Sequence, residues 1–137
     1  MPITLNSGFQ YNISVVKRVA VIGASRDKGK FGNKAVRAFC DRGYVVVPIN
    51  PDQTSVEGLK CYPSVLAVPG PIDLATIYVP AKVGQRVIRE IAEKNIGEVW
   101  LNPGADDPDL VESAEVLGLR VIKQCSIIRI GGNPSMY

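Results

Sequence analysis

Residues 23 to 34 read GASRDKGKFGNK. Four cations, Arg26, Lys28, Lys30 and Lys34, face one anion, Asp27, and this local +3 equals the net charge of all 137 residues. Such a density favours an anion carrying several phosphates. The other residues suit that chemistry. Gly23 permits a tight turn, Ala24 and Ser25 are small enough for a ligand to approach the backbone, and Gly29 and Gly32 keep the stretch open. An apolar run, VAVI, comes just before, and the helix-like AVRAF comes just after. The stretch therefore joins a strand to a helix whose first N–H groups, at the positive end of the helix dipole, favour a phosphate. A solvated basic loop would use the same residue types, and each lysine taken singly is open to either reading.

The spacing narrows the ligand. Glycines at 23, 29 and 32 do not match the dinucleotide fingerprint GxGxxG, and the second apolar run ends in Asn50-Pro51, with Asp52 one step late for a ribose hydroxyl. Both features count against NAD without excluding it. The P-loop pattern is also unmet, because one residue too many precedes Gly29-Lys30 and Phe31 stands where a hydroxyl is needed. The chain has no histidine, so a Ser-His-Asp triad, a His-ligated zinc and a phosphohistidine are excluded within it. No catalytic constellation is visible, and a non-catalytic role is expected.

Two further groups invite chemistry and have simpler readings. Asp106, Asp107 and Asp109 could hold a metal, but Asp107 before Pro108 is better read as a helix cap with Asp109 in the first turn, and no metal is expected. Cys61, in KCYPS, could form a mixed disulfide, although a buried, idle thiol is the simpler reading. Cys40, Cys61 and Cys125 are odd in number and scattered, which points to a reducing cytoplasm rather than a disulfide scaffold.

These residues must be carried by a fold. Short apolar runs at 18–22, 44–49, 74–79, 98–101 and 119–122 are continuous rather than alternating, as in parallel strands buried on both faces. Apolar residues at 83, 87, 88, 91 and 92 mark one face of a helix, and 35, 36, 38 and 39 a shorter one. Gly43, Gly97 and Gly118 each follow a helical pattern and precede a strand, as in repeated βαβ crossovers. The expected fold is α/β: a Rossmann-like, doubly wound, five-stranded parallel sheet of order 3-2-1-4-5 with helices on both faces. The link from 50 to 73 is less regular, with a short helix at Tyr62–Leu66. One domain spans 1–137, its core about 17–125, with 1–15 and 131–137 peripheral. Ligands in such sheets bind beyond the carboxyl ends of the strands. The relevant tips are 23–32, 50–53, 80–84 and 102–106.

The composition is 46% hydrophobic and 21% charged, ordinary for a globular domain. No apolar run approaches the ~18 residues of a membrane span. Residues 1–14 carry neither charge nor a hydrophobic block, unlike a secretory signal. A modest net charge and no basic helical stripe argue against nucleic acid.

Taken together, VAVIGAS, GYVVVPINP, KCYPSV and IYVP resemble the CoA-binding domain, over roughly residues 17 to 125. This is the N-terminal Rossmann-like part of the succinyl-CoA synthetase α subunit, and it also occurs as small stand-alone proteins in bacteria and archaea. The resemblance implies coenzyme A or acyl-CoA as ligand. It places Gly23, Ala24, Ser25 and Arg26 along the phosphates, with Lys28 or Lys30 nearby and Gly32 in the same loop. It places Asn50 and Pro51 near the nucleotide, and Val79 and Pro80 beside the adenosine or the pantetheine arm. Asn102, Pro103 and Gly104 then form the fourth tip. Pro80 and Pro103 would also serve simply to end strands or open helices. The chain departs from the synthetase in two respects: DQTSVEG, residues 52–58, lacks the lysine expected soon after the second strand, and there is no histidine to phosphorylate. The leading expectation is a non-catalytic CoA-binding module. An NAD(P)-binding redox or sensor protein and the CoA-binding subunit of a multi-chain acyl-CoA synthetase remain open. The partner would be a second copy, contacted through IIRIGG, or a separate catalytic chain.

Overall fold

A computed structural model describes residues 16–137. The expectation that residues 1–15 are peripheral lies outside them. In chain order the elements are β1 (Arg18–Ile22), α1 (Phe31–Asp41), β2 (Val45–Ile49), β3 (Ser55–Val56), β4 (Leu59–Lys60), β5 (Leu74–Ile77), α2 (Ala81–Glu93), β6 (Glu98–Leu101), α3 (Pro108–Val116), β7 (Arg120–Lys123) and α4 (Ser126–Arg129). Short 3-10 turns occupy Val65–Ala67 and Pro134–Met136. No helix among the described residues is long and apolar enough to cross a membrane.

The main sheet is parallel, with β2-β1-β5-β6-β7 as its order. Outside β2, a single-residue parallel bridge joins Ile49 to Tyr62. Counted as the third position, that bridge gives the expected 3-2-1-4-5 pattern, with β5 and β6 fourth and fifth and β7 sixth. The run beginning at Leu74 thus lies directly beside β1, pairing Ile22 with Ile77. On this side Pro48 accepts from the Tyr62 N–H but has no N–H of its own to extend the ladder, and the third position is a single bridge. The chain between 50 and 73 instead forms the β3–β4 hairpin and a 3-10 turn at Val65–Ala67, near the expected short helix.

Alternate strand residues enter opposite cores, which explains why the runs are continuously apolar. Ala20, Ile22, Ile49, Ile77 and Leu101 pack under Val87, Ile88 and Ile91 of α2 and Leu110 of α3. Val19, Val21, Val46 and Trp100 pack under Ala35, Val36 and Phe39 of α1 and Ile127 of α4. Deleting a side chain such as fully buried Ile88 costs about 2–5 kcal/mol. After α1 and α3, Gly43 and Gly118 take the left-handed conformation as expected. After α2 it is Asn95, φ 64°, that turns the chain; Asn tolerates this region, and Gly97 is left free of that role.

The register aligns Ile49, Ile22, Ile77, Leu101 and Lys123 in one row. Every tip therefore emerges at the same edge. The tail, expected to be peripheral, returns to α1: Arg42 donates to the Gly131 carbonyl at 2.6 Å and the Tyr137 hydroxyl to Asp41 at 2.7 Å.

Candidate functional site

The chain leaves β1 toward β2 on one side and later returns to place β5 on the other. The reversal opens the sheet edge between the two strands, and two clefts meet there. The larger, about 560 Å³, is bordered by Gly23, Lys30, Tyr78, Val79, Pro80 and Asn102, with Cys125 and Pro134 on its far wall. The smaller, about 210 Å³, lies between the end of β2 and α2, against Asn50, Pro51, Asp52, Val83 and Arg86. Gly23 and Val79 belong to both. The clefts thus adjoin at Gly23 and Val79 and form one groove across the sheet edge.

Glycine is required at two points of this crossing. Gly23 has φ 91°, and a side chain there would come within 2.9 Å of the Tyr78 carbonyl group. A Cβ on Gly32 would lie 2.0 Å from the Gly23 carbonyl oxygen, so α1 can start this close to the strand only without one.

The loop between these glycines is held from behind. The Asn50 amide donates to the Ala24 carbonyl at 2.8 Å while its own oxygen accepts from the Asp52 N–H. Fully buried Asn33 donates to the Ser25 carbonyl at 2.8 Å and to Glu57 at 2.9 Å. In a trans peptide the N–H points opposite to the carbonyl. Turning the Ala24 carbonyl toward Asn50 therefore turns the Ser25 N–H away from it. Among the described residues, the amides of Ser25, Phe31 and Gly32 make no hydrogen bond. The first turn of α1 has no side-chain cap and no acidic residue. This is the arrangement that receives an anion.

The sequence candidates separate into three groups. Gly23, Lys30, Gly32, Val79, Pro80, Asn102, Pro103 and Gly104 border the larger cleft, and Asn50 and Pro51 border the smaller. Ala24 and Ser25 are buried in the turn, with the Ser25 hydroxyl accepting from the Asp27 N–H at 3.0 Å. Arg26 and Lys28 line neither cleft. The Arg26 N–H donates to Gln53 and the Lys28 ammonium stands 3.6 Å from Glu57. The acid comes from the β3–β4 hairpin, far along the chain, so sequence spacing gave no sign that it offsets this lysine. Asn33 holds the Glu57 carboxyl below its ordinary range by donating to it, with Lys28 and Arg37 adding to the effect.

Asn102 has a supporting role. It donates to Thr76 and to the Ile77 carbonyl and accepts from the Ser126 N–H at 2.8 Å, tying β5 and β6 to the start of α4. Thr76 and Ser126 share a hydrogen bond of 2.7 Å. The Tyr78 hydroxyl is buried near both, without hydrogen-bond geometry to either, and burial pushes its proton affinity far up. Asp107 caps α3 as expected, accepting from the Asp109 and Leu110 N–H groups behind Pro108. Cys61 is buried against the α1 core, lines neither cleft, and has its thiol pushed up by burial. Tyr78, Cys125, Pro134, Arg86 and Val83 were not singled out as site residues. The α2 apolar face hinted at Val83 and the strand run 74–79 at Tyr78, but only the folded chain brings the others to the groove.

Residues 17–131 match the model of a family described as the CoA binding domain. The chain is 36% identical over 116 residues to "Acetate--CoA ligase [ADP-forming] I" of Archaeoglobus fulgidus, covering 77% of this chain and 17% of that protein. It is 35% identical over 115 residues to "Acetate--CoA ligase [ADP-forming] II subunit alpha" of Pyrococcus furiosus, covering 76% of this chain and 25% of that subunit. The chain thus spans a quarter or less of the length of these curated relatives. It also superposes on a hypothetical protein from Pyrococcus horikoshii OT3 with a TM-score of 0.79 and 28% identity, over 84% of this chain and 81% of that one. With the glycine-bounded loop, the groove at the strand reversal and the family match agreeing, the chain belongs to the CoA binding domain family.

Proposed function

We propose that this chain holds coenzyme A, free or acylated, along the groove, without performing chemistry on it. The adenosine end takes the smaller cleft, where Ile22, Ile49, Val79, Val83 and Val87 offer an apolar slot for a base. The pyrophosphate crosses above Gly23, beside Lys30 and the unpaired Phe31 and Gly32 amides. The pantetheine arm runs into the larger cleft past Phe31, Tyr78 and Pro80. The observation that carries this reading is the junction of the two clefts at Gly23 beside the uncapped start of α1.

Thermal unfolding with ligand tests it. At free CoA about 100 times its dissociation constant, binding adds about 2.7 kcal/mol to stability. For a domain of this size that raises the melting temperature by several degrees, roughly 3 °C per kcal/mol. No rise at millimolar CoA, with a rise in NADPH, would replace this reading by the redox or sensor one. Co-eluting CoA in native mass spectrometry of freshly purified protein would support it directly.

A second reading has its own observation: the Pyrococcus furiosus relative is named as a subunit of an ADP-forming ligase. In that reading this chain supplies CoA to a catalytic partner on another polypeptide. Ligase activity appearing only on mixing the chain with such a partner would favour it. A stable homo-oligomer without activity would favour the stand-alone module.

A further inference from the structure

The smaller cleft has a charge pattern that the first loop does not explain. Its walls are apolar, and its rim carries the carboxylates of Asp52 and Glu90 and the guanidinium of Arg86. Among the described residues, Arg86 is the one cation lining this cleft, as Lys30 is for the larger. The two cations thus sit on opposite sides of the crossing at Gly23. A pantetheine nucleotide carries its phosphates in the same divided way. The pyrophosphate lies in the middle of the molecule, and a separate monoester lies on the adenosine ribose.

Arg86 is available for a ligand. Its Nε is 3.9 Å from Glu90 Oε2, a loose contact of two partly exposed groups one helical turn apart, which contributes little. Glu90 has another partner, since its Oε1 accepts from the Ser64 hydroxyl at 3.1 Å. No hydrogen bond joins the rest of the guanidinium to a described residue. The fork can therefore meet a phosphate with two parallel N–H donors while its stem rests on α2. Asp52 at the same rim acts in the other direction. Its carboxylate accepts well from a ribose hydroxyl but repels a ribose phosphate. Without a cation here, this cleft would favour nucleotides whose ribose is unphosphorylated.

We infer that Arg86 is the residue that reads the ribose 3′-phosphate, so that α2 supplies the charge that the segment after β2 lacks. The inference rests on the placement of CoA in the two clefts, and it makes Arg86 a specificity residue within that placement.

The test measures dissociation constants for CoA and dephospho-CoA on the full chain, by calorimetry, for the wild type and for Arg86→Ala, Arg86→Lys and Arg26→Ala. The wild type is expected to prefer CoA by about tenfold, the value of roughly one charge-assisted hydrogen bond. Arg86→Ala brings the ratio close to one by weakening CoA alone. Its unchanged binding of dephospho-CoA shows that the variant is folded. Arg86→Lys keeps part of the preference, and Arg26→Ala keeps all of it. A full preference retained by Arg86→Ala, or its collapse in Arg26→Ala, overturns the inference and leaves CoA in the groove. Equal wild-type affinity for the two compounds does the same. If the wild type binds neither compound, the placement itself falls and the inference with it.

Discussion

Helices α1 and α3 both start at the carboxyl edge of the sheet, yet they start in opposite ways. Asp107 caps α3 with its own side chain, Pro108 fills the first turn, and Asp109 adds a negative charge to the positive end of the dipole. The start of α1 has none of these: Lys30 stands at the cap position without a side-chain hydrogen bond, and Gly32 follows one residue into the helix. Three neighbouring residues satisfy α3. The loop before α1 is held from a distance by Asn50 and by the Asn33–Glu57 contact, with the Ser25, Phe31 and Gly32 amides left without a hydrogen bond. The difference separates a helix end built for stability from one whose free donors and nearby cation suit a ligand.

The largest way to break this contrast is at Gly32. Gly32→Ala puts a methyl group 2.0 Å from the Gly23 carbonyl, where only backbone could yield. It is expected to cost about 3 kcal/mol, the upper range for overpacking, with a fall of roughly 10 °C in melting temperature and loss of CoA binding. A wild-type melting temperature would show that α1 does not depend on this close approach.

Lys30→Glu acts on charge alone. It should weaken CoA by about tenfold or more, as expected for a lost charge-assisted contact plus repulsion, while thermal stability stays nearly constant. An equal effect from Lys28→Glu would contradict the pairing of Lys28 with Glu57.

Asp107→Ala sharpens the comparison from the other side. Loss of the cap costs about 1 kcal/mol, read as roughly 3 °C, with CoA affinity unchanged. A matching drop in affinity would mean that the two helix starts are not separate devices.

The smallest effect is a pH dependence. In the fold, Glu57 has a lower pKa than its ordinary 4.5, chiefly because Asn33 donates to its carboxylate. A lowered folded value means that its contribution is present above about pH 4.5 and fades as pH falls through the folded pKa. The stability difference between wild type and Glu57→Gln should therefore shrink from pH 5 toward pH 3. A difference constant over that range would show that the carboxylate form is not what Asn33 holds.

Much of this was legible in the residues. The continuous runs at β1, β2, β5, β6 and β7 identify buried parallel strands because a two-sided core leaves no polar face, and Asp107-Pro108 announces its cap by strictly local chemistry. The groove was legible at Gly23, Val79 and Pro80, since the register of a parallel sheet brings every strand end to one edge. Arg86, Cys125 and Pro134 were not, because each reaches the groove from an element whose position depends on long-range packing. For the same reason the sequence places Lys28 among the candidates near the phosphates. Its neutralising acid, Glu57, lies on a hairpin that local periodicity did not reveal.

By itself the sequence determined the alternation of buried strands and covering helices, because hydrophobic periodicity and helix-ending residues act over a few positions. It also determined that the first crossover would be basic and glycine-bearing. Only the tertiary structure decided which cations face a cleft, which amides stay unpaired and which single arginine lines the smaller cleft. Those outcomes depend on contacts between residues distant in the chain, and only closing the sheet creates them.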